Sequence, residues 1–352
     1  MRTDALLVYG ATGYSGRLVV AGAIAAGLHP ILGGRDEARL APLAEALQLP
    51  YRVARLDEPG RLASALQEVR VVLHAAGPFS STARPMLDAC LAAGVHYLDL
   101  SAGVDEIEMA AARHAEARAR GVMVLPGVGF DVVPSDCLAA HVAHRLPGAE
   151  HLSLGISGLV RATRGSAKAF AEYAGRPVIV RRRGTITSVP SGSLERTFDF
   201  GNGPRSACAV SWGDVATAYY TTGIENVDVY FEATPVIRGM VAANAFLGVG
   251  LRTAPWQAWL RASTEWLPEG PSAGERDAGT TVIVAEGRTR SGRTVRTRLR
   301  GPEAYTFTGM AAPAVAARVL AGDVEPGFQT PGRLFGPDFV LRFRGVSREE
   351  VD

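Results

Sequence analysis

The sequence predicts an α/β protein with a doubly wound parallel sheet followed by an α+β domain. Three observations predict this. Short apolar runs alternate with stretches of helical spacing up to about Leu125, a glycine-rich turn follows the first run, and the period changes to two from about His151. Alternation of strands with helices of 10 to 15 residues indicates βαβ units, and nearly continuous apolar strands indicate a sheet covered on both faces.

The elements follow in order. The predicted strands of the first domain are Ala5–Tyr9, Pro30–Gly33, Tyr51–Arg55, Val69–His74, Val95–Leu100 and Val122–Leu125. The predicted helices between them are Ser15–Ala26, Asp36–Leu47, Gly60–Glu68, Thr82–Ala93 and Asp105–Ala119. Predicted strands of the second domain are Leu152–Ile156, Pro177–Arg182, Thr185–Val189, Glu195–Phe200, Asn226–Glu232 and Thr281–Glu286. A hairpin turn at Ser291-Gly292 and a return strand Thr294–Arg300 follow, then a helix Thr308–Leu320 and a short strand Asp338–Arg344.

Composition excludes several classes of protein. The 352 residues suggest two domains, and 47% apolar residues exclude a largely disordered chain. A net charge of +2 (37 minus 35) predicts no special attraction to nucleic acid. Three scattered cysteines indicate neither disulfides nor a metal site, and they fit the cytoplasm. The apolar runs are too short for a signal peptide or a membrane span, the longest being Met240–Leu251.

The most specific motif is a glycine-rich turn between the first strand and the first helix. It consists of Gly10, Ala11, Thr12, Gly13, Tyr14, Ser15 and Gly16. Glycines allow close backbone approach, and the amides at a helix N-terminus favour a pyrophosphate. We therefore predict that Gly10, Thr12, Gly13, Tyr14, Ser15 and Gly16 bind a dinucleotide, the alternative being a purely structural turn.

The end of the second strand distinguishes the two nicotinamide dinucleotides. An NAD-binding protein usually has an acid there, whereas this strand ends in Gly33-Gly34-Arg35. A guanidinium suits a 2′-phosphate, so Arg35 favours NADP (NADPH) over NAD. The alternative is that Arg35 is solvated and Asp36 binds the ribose.

Three further strand ends face the same crevice, because ligands bind at the carboxyl ends of parallel strands. The fourth strand ends in Ala76, Gly77, Pro78 and Phe79, and Ser101 follows the fifth. Asp57, after the third strand, is expected near the adenine, with capping of the next helix as the alternative.

Several motifs together resemble the saccharopine dehydrogenase-like oxidoreductases. They are the turn at 10–16, Gly33-Gly-Arg35, Ala76-Gly-Pro-Phe79, Gly94-Val-His-Tyr-Leu-Asp99, Gly127-Val-Gly-Phe-Asp131 and Ser135-Asp136. The segments Trp212–Tyr219, Thr222–Ile224, Gly327–Pro331 and Phe335–Asp338 are similar to the bacterial branch that includes the trans-acting enoyl reductases.

The resemblance implies a domain organisation and a class of reaction. It implies an NADP-binding Rossmann domain over 1–133, an inserted α+β substrate and dimerisation domain over 134–304, and a segment 305–352 that returns to the Rossmann domain. It also implies an NADP-dependent oxidoreductase, a homodimer, that reduces a C=C or C=N bond of a small-molecule or lipid-like substrate. An amino-acid/oxo-acid imine reductase, a non-catalytic NADP-binding redox sensor and a docking partner of a larger synthase stay as alternatives.

Two side chains are candidate catalytic residues, because a reduced bond also needs a proton. Lys168, the only lysine, lies near the start of a predicted helix, and its alternative is an ordinary surface position. Asp131 follows the sixth strand at the expected nicotinamide site, and its alternative is a helix cap.

Two further segments admit two interpretations each. Arg181-Arg182-Arg183 could bind a substrate carboxylate or form a solvated strand edge. The apolar stretch Val236–Leu251, with Trp256 and Trp259, could bind lipid or a membrane surface, or be a buried core or dimer helix.

Overall fold

A computed structural model gives the structure of residues 5–159 and 163–351. The chain forms two compact units. One contains residues 1–133 and 305–334, and the other contains 134–304 and 335–352. The last segment of the first unit, residues 305–334, therefore lies in sequence between the two parts of the second unit.

Residues 5–133 alternate between strands and helices, except that two helices follow one another before the last strand. The strands are β1 Ala5–Tyr9, β2 Ile31–Gly34, β3 Tyr51–Val53, β4 Val69–His74, β5 His96–Asp99 and β6 Met123–Leu125. The helices are α1 Tyr14–Ala25, α2 Glu37–Leu47, α3 Pro59–Ala65, α4 Phe79–Ala93, α5 Val104–Ala111 and α6 His114–Ala119. The predicted helix Asp105–Ala119 is wrong as a single element, since it is interrupted at residues 112–113. Alanines on both sides of the break conceal it in the sequence.

Residues 134–304 combine helices and strands, as expected for an α+β domain. The helices are α7 Val133–Arg145, α8 Arg164–Tyr173, α9 Asp214–Thr222, α10 Pro235–Leu251, α11 Ala254–Ser263 and α12 Ala273–Ala278. The strands are β7 Ala149–Ser157, β8 Val178–Arg182, β9 Thr185–Val189, β10 Glu195–Asp199, β11 Pro204–Ala209, β12 Asn226–Glu232, β13 Thr280–Thr289 and β14 Thr294–Pro302. The predicted hairpin is confirmed, because β13 and β14 pair antiparallel across Ser291-Gly292.

The remaining elements are α13 Ala304–Leu320, β15 Gly327–Phe328, α14 Pro331–Phe335 and β16 Ser347–Glu350. The predicted strand Asp338–Arg344 is wrong, since Phe339–Arg342 is a 3₁₀ turn. The rings of Phe335, Phe339 and Phe343 stack at centroid distances of 4.7 and 5.2 Å. A spacing of four residues suits a helical turn and would not place the three rings together on a strand.

The first unit contains a parallel sheet. Within the described residues it has seven strands in the order β15-β6-β5-β4-β1-β2-β3. The order reverses between β1 and β4, which makes the ends of these strands the topological switch point. Leu7, Val8, Leu32, Val72 and Leu98 are fully buried, as a sheet covered on both faces requires. The doubly wound, Rossmann-type fold predicted from the sequence is confirmed.

The second unit contains a mixed sheet. Its main path runs β10-β11-β12-β7-β13-β14-β16 among the residues described, with only β12 and β7 parallel. The final strand pairs antiparallel with β14, for example Arg298 with Glu349. Residues 335–352 therefore group with the second unit, whereas the resemblance implies that all of 305–352 returns to the first.

Candidate dinucleotide site

The segment Gly10–Gly16, called the phosphate turn below, joins β1 to α1. Gly10 has φ +91°, and a Cβ there would lie 2.7 Å from the amide nitrogen of Ala76. A Cβ at Gly16 would lie 2.1 Å from the carbonyl oxygen of Gly10. Both positions therefore accept only glycine, and the helix packs directly on the end of the strand. The amides of Gly10 and Ala11 donate to the carbonyl of Gly33, which fixes the turn against β2 (2.8 and 3.2 Å).

The N-terminus of α1 is suited to an anion. Gly13 occupies the N-cap position, and the first turn contains no acidic residue. The positive end of the helix dipole is therefore not compensated by a carboxylate of its own first turn. Thr12, Tyr14 and Ser15 are half-buried and Gly13 is exposed, so a ligand can reach this segment of backbone. These features fit a dinucleotide pyrophosphate.

Ala76 to Phe79 form a second turn beside the phosphate turn. The Thr82 hydroxyl donates to the carbonyl of Ala76 at 2.6 Å, and His74 Nε2 lies 3.1 Å from the Thr82 hydroxyl oxygen. Burial lowers the pKa of His74 to about 3, so its imidazole is neutral. Pro78 is the N-cap of α4, whose first turn also lacks acids. The predicted residues Ala76, Gly77, Pro78 and Phe79 thus adjoin the phosphate turn at the switch point.

Three arginines, Arg35, Arg39 and Arg55, lie around the ends of β2 and β3 and are called the arginine edge below. The Arg39 guanidinium reaches the carbonyl of Thr12 at 3.4 Å. Burial raises the pKa of Tyr9 to about 12, and the charges of Arg35 and Arg55 oppose that rise, which shows that both lie near its phenol. The site therefore combines the exposed Arg35 with Arg39, for which the sequence leaves open an added charge or an ordinary surface position, and with Arg55, which sequence reasoning did not assign to the cofactor.

Asp57 is bound by the arginine edge. Its carboxylate accepts two hydrogen bonds from the Arg55 guanidinium, at 3.0 and 2.9 Å, and these bonds lower its pKa. Glu58, and not Asp57, occupies the N-cap of α3, so the capping alternative is wrong. Asp36 does occupy the N-cap of α2, but its side chain makes no capping hydrogen bond.

The carboxyl ends of β5 and β6 are joined by Asp99. Its Oδ1 accepts from the Ser101 amide (2.9 Å), the Ser101 hydroxyl (2.7 Å) and the Gly127 amide (2.9 Å), and Oδ2 accepts from the Tyr97 hydroxyl (2.7 Å). Burial raises the pKa of Asp99, while these hydrogen bonds oppose the rise. The Ser101 hydroxyl is thus engaged by Asp99, and a contact between Ser101 and a cofactor stays a prediction.

Asp131 closes the turn that follows β6. Burial raises the pKa of this half-buried carboxyl to about 7. The turn is held from α13, since the Phe130 amide donates to the Thr308 hydroxyl at 3.0 Å. The same helix meets the phosphate turn, because the rings of Tyr14 and Tyr305 pack edge to face at 5.4 Å. Sequence reasoning missed Tyr305 and Thr308, and only the expected return of the C-terminal helix pointed to them.

Lys168 belongs to the second unit. It is half-buried on α8, a helix whose N-cap Thr163 accepts a hydrogen bond from the Ser166 amide. Phe170 of the same helix stacks on Trp212 at 6.2 Å. These contacts fix the helix that carries Lys168, and its catalytic role stays a prediction.

The Arg181-Arg182-Arg183 run has structural partners. Arg181 is buried, donates to the carbonyls of Val215 (2.9 Å) and Gly184 (2.7 Å), and lies 4.2 Å from the centre of the Tyr219 ring. Arg182 pairs with Asp228 at 2.6 Å. Arg181 is therefore part of the core of this unit, which differs from both interpretations of the run as a carboxylate site or a solvated edge.

Residues 6–125 match the family model of the saccharopine dehydrogenase NADP binding domain. The first unit contains a domain of this family. The matched range includes the phosphate turn, the arginine edge and the Ala76–Phe79 turn, so the predicted cofactor, NADP, is the one after which the family is named. The resemblance expected from the sequence is confirmed.

Curated relatives align with part of the chain. The trans-acting enoyl reductase of Mycobacterium leprae is 32% identical over 142 residues, which are 37% of this chain and 33% of the relative. The enzyme of the same name from Mycobacterium tuberculosis strain H37Rv is 30% identical over 142 residues, with the same coverage. The alignments thus span about a third of the length of these relatives.

Two solved structures share the fold of this chain. Apo saccharopine dehydrogenase (L-Glu forming) from Saccharomyces cerevisiae has a TM-score of 0.67 at 11% identity, covering 99% of this chain and all of that one. Homospermidine synthase from Legionella pneumophila, solved in complex with NAD, has a TM-score of 0.66 at 9% identity, covering 100% and 92%. At these identities the likeness concerns the fold alone.

Proposed function

We propose that this protein is an NADPH-dependent oxidoreductase that reduces a C=C bond of an apolar, lipid-like substrate. The observation that carries the proposal is a phosphate turn without acids beside an arginine edge, inside a saccharopine dehydrogenase NADP-binding domain. The names of the mycobacterial relatives support an enoyl group as the reacting bond. Bound NADPH would supply the hydride.

The residues of the chain have distinct roles in this proposal. The amides of the phosphate turn hold the pyrophosphate, and Arg35, with Arg39 beside it, holds the 2′-phosphate by charge-assisted hydrogen bonds. The backbone of 76–79 and of Ser101 lines the crevice. Asp131, whose pKa lies near 7, holds a proton at its carboxyl under neutral conditions and delivers it to the reduced product. Lys168 is the alternative donor.

Reduction of an imine between an amino acid and an oxo acid is the alternative reaction. Such a substrate carries carboxylates, which arginines bind best. The buried Arg181 is already bonded to two backbone carbonyls, which supports the less polar substrate. A redox sensor would bind NADPH without turning over any substrate.

Location and assembly complete the proposal. We propose a cytoplasmic protein, since Cys90, Cys137 and Cys208 are each buried and unpaired. A homodimer formed through the second unit rests on the resemblance alone, and light scattering tests it.

Titration of the full chain with NADPH and NADH tests the proposed function. We expect tighter binding of NADPH, and a loss of at least about tenfold for NADPH alone in Arg35→Ala, because a bidentate phosphate contact is worth more than about 1.4 kcal/mol. Arg61→Ala, an exposed arginine of α3, is the matched control. If neither NADPH nor NADH binds, the proposal is overturned. NADPH oxidation by enoyl and imine substrates then separates enzyme from sensor.

A further inference from the structure

Helices α10 and α11 and the 3₁₀ turn that follows them expose several large apolar side chains. Phe246 is 87% exposed, Trp266 is 90% exposed, and Leu247 and Trp259 are exposed by more than half. Val236, Met240, Trp256 and Leu267 are also exposed. We call this set the apolar face. Proteins that stay in water rarely expose so many large apolar side chains together, so the face is expected to meet a partner.

The face is continuous along both helices. Val236, Met240 and Leu247 follow the four- and seven-residue spacing of one helix stripe. Trp256 and Trp259, three residues apart, pack edge to face at 5.4 Å. Phe246, Leu247 and Trp256 line one open groove of about 560 Å³.

The polar side chains of the helices bind backbone groups beside this groove. Asn244 donates to the carbonyl of Arg176 at 2.8 Å and accepts from the Gly175 amide. Gln257 donates to the carbonyl of Leu251 at 2.8 Å. A Cβ at Gly175 would lie 2.4 Å from the carbonyl of Gly248, so this loop and α10 are in direct contact. These polar contacts therefore fix the position of α10 beside the groove, and the aromatic side chains of the face stay exposed.

The sequence that carries the face has a positive net charge. Residues 235–267 contain three arginines and one acidic residue, Glu265. The exposed Arg176 and Arg252 line the same groove as Trp256. An isologous dimer through this face would place like charges against one another, because both copies present the same residues. A surface with negative charge and an apolar interior matches the face better.

We propose that the apolar face binds the surface of a bilayer that contains anionic lipids. Indole rings favour the interface between headgroups and acyl chains, and guanidinium groups at the groove attract anionic headgroups. The helices lie in the plane of that interface, since none of the helices in the described part of the chain is long and apolar enough to cross a membrane. The proposal is independent of the proposed oxidoreductase function.

Flotation of the full chain with large unilamellar vesicles tests the proposal. The vesicles contain phosphatidylcholine alone, or phosphatidylcholine with 30% phosphatidylglycerol. We expect binding to the anionic vesicles, with a blue shift of tryptophan emission, because three of the four tryptophans lie on the face and Trp212 is buried. Trp256→Ser/Trp259→Ser should weaken the partition at least about tenfold, since the variant lacks two indole rings that would insert into the bilayer interface. Leu47→Ser, an exposed apolar position of the first unit, is the matched control and should bind as the parent does.

A second pair of variants separates charge from apolar burial. Arg176→Gln/Arg252→Gln should weaken binding to anionic vesicles about tenfold and leave binding to neutral vesicles little changed. Absence of vesicle binding by the parent protein would overturn the proposal. So would a dimer that dissociates in Trp256→Ser/Trp259→Ser while vesicles have no effect, because the face would then be an interface between two copies. NADPH titration of each variant reports the integrity of the first unit separately.

Discussion

The hydroxyl of Thr308 accepts a hydrogen bond from the amide of Phe130, at 3.0 Å, across 178 positions of sequence. This bond ties α13 to the turn that carries Asp131. One end of the candidate site is therefore held by a helix that follows most of the second unit in sequence.

Replacing Thr308 should release that turn. Thr308→Val leaves the buried Phe130 amide without its acceptor, and we expect the free energy of unfolding to fall by about 1–3 kcal/mol. Thr308→Ser keeps the hydroxyl and should cost less. Urea denaturation compares the two. A larger loss in Thr308→Ser than in Thr308→Val would instead assign the effect to the Thr308 methyl group, which valine retains and which packs near Gly129.

Gly16 should be irreplaceable in the phosphate turn. An alanine Cβ would lie 2.1 Å from the carbonyl of Gly10, so α1 must shift in Gly16→Ala. We expect unfolding to become easier by about 1–3 kcal/mol and NADPH affinity to fall. Gly60→Ala, in α3 with no atom near the new Cβ, is the control and should stabilise the protein by about 0.5–1 kcal/mol. If both variants bind NADPH like the parent, the turn does not form the pyrophosphate site.

Asp99 should be more important for stability than its place in a strand suggests. Asp99→Ala removes the acceptor of two buried amides and two hydroxyls, and we expect a loss of about 3 kcal/mol or more. Asp99→Asn keeps an oxygen for the Ser101 and Gly127 amides and should cost less. Thermal unfolding followed by circular dichroism measures both. Losses of the same size would show that the negative charge matters more than the acceptor geometry.

The phosphate turn could be predicted because its requirements are local. Gly16 leaves room for the carbonyl of Gly10 in the same turn, and Gly10 adopts a positive φ that favours glycine. Both requirements appear in the sequence as the glycines of the motif Gly10–Gly16. The hydrogen bonds from Gly127 to Asp99 and from Phe130 to Thr308 could not be predicted, because their donors and acceptors come from distant segments. No local pattern marks an aspartate that accepts from the next strand's loop.

The exposure of α10 also lay beyond the sequence. Apolar spacing indicates one face of a helix, but hydropathy alone does not distinguish a face covered by the core from one left outside. Only the structure shows that Phe246 and Trp256 are exposed and that Asn244 binds the backbone of Gly175 and Arg176 beside them. The conformation of residues 338–344 likewise depends on packing. The local apolar pattern indicates a strand, but the contacts among Phe335, Phe339 and Phe343, spaced four residues apart, favour a helical turn.

Asp131 should give stability a pH dependence of a definite sign. Its pKa is about 7 in the folded protein and is close to 3.8 when unfolded. Between these values the folded state holds a proton that the unfolded state has released, so the contribution of Asp131 to stability falls as pH rises from about 4 to 7. The slope is at most about 1.4 kcal/mol per pH unit.

Comparison with Asp131→Asn isolates this effect. Burial lowers the pKa of His74 to about 3, and the unfolded chain takes up that proton first on acidification, which gives the opposite slope below about pH 6.5. The histidine contribution is common to both proteins and cancels in the difference between their free energies of unfolding. We expect that difference to change steadily between pH 4 and 7 and to stay constant above 7.

If Asp131 also donates the proton of the proposed reaction, kcat/KM of the parent should fall above pH 7, because the carboxyl is then ionised. A pH-independent difference in stability would place the pKa of Asp131 outside this range and would favour Lys168 as the donor.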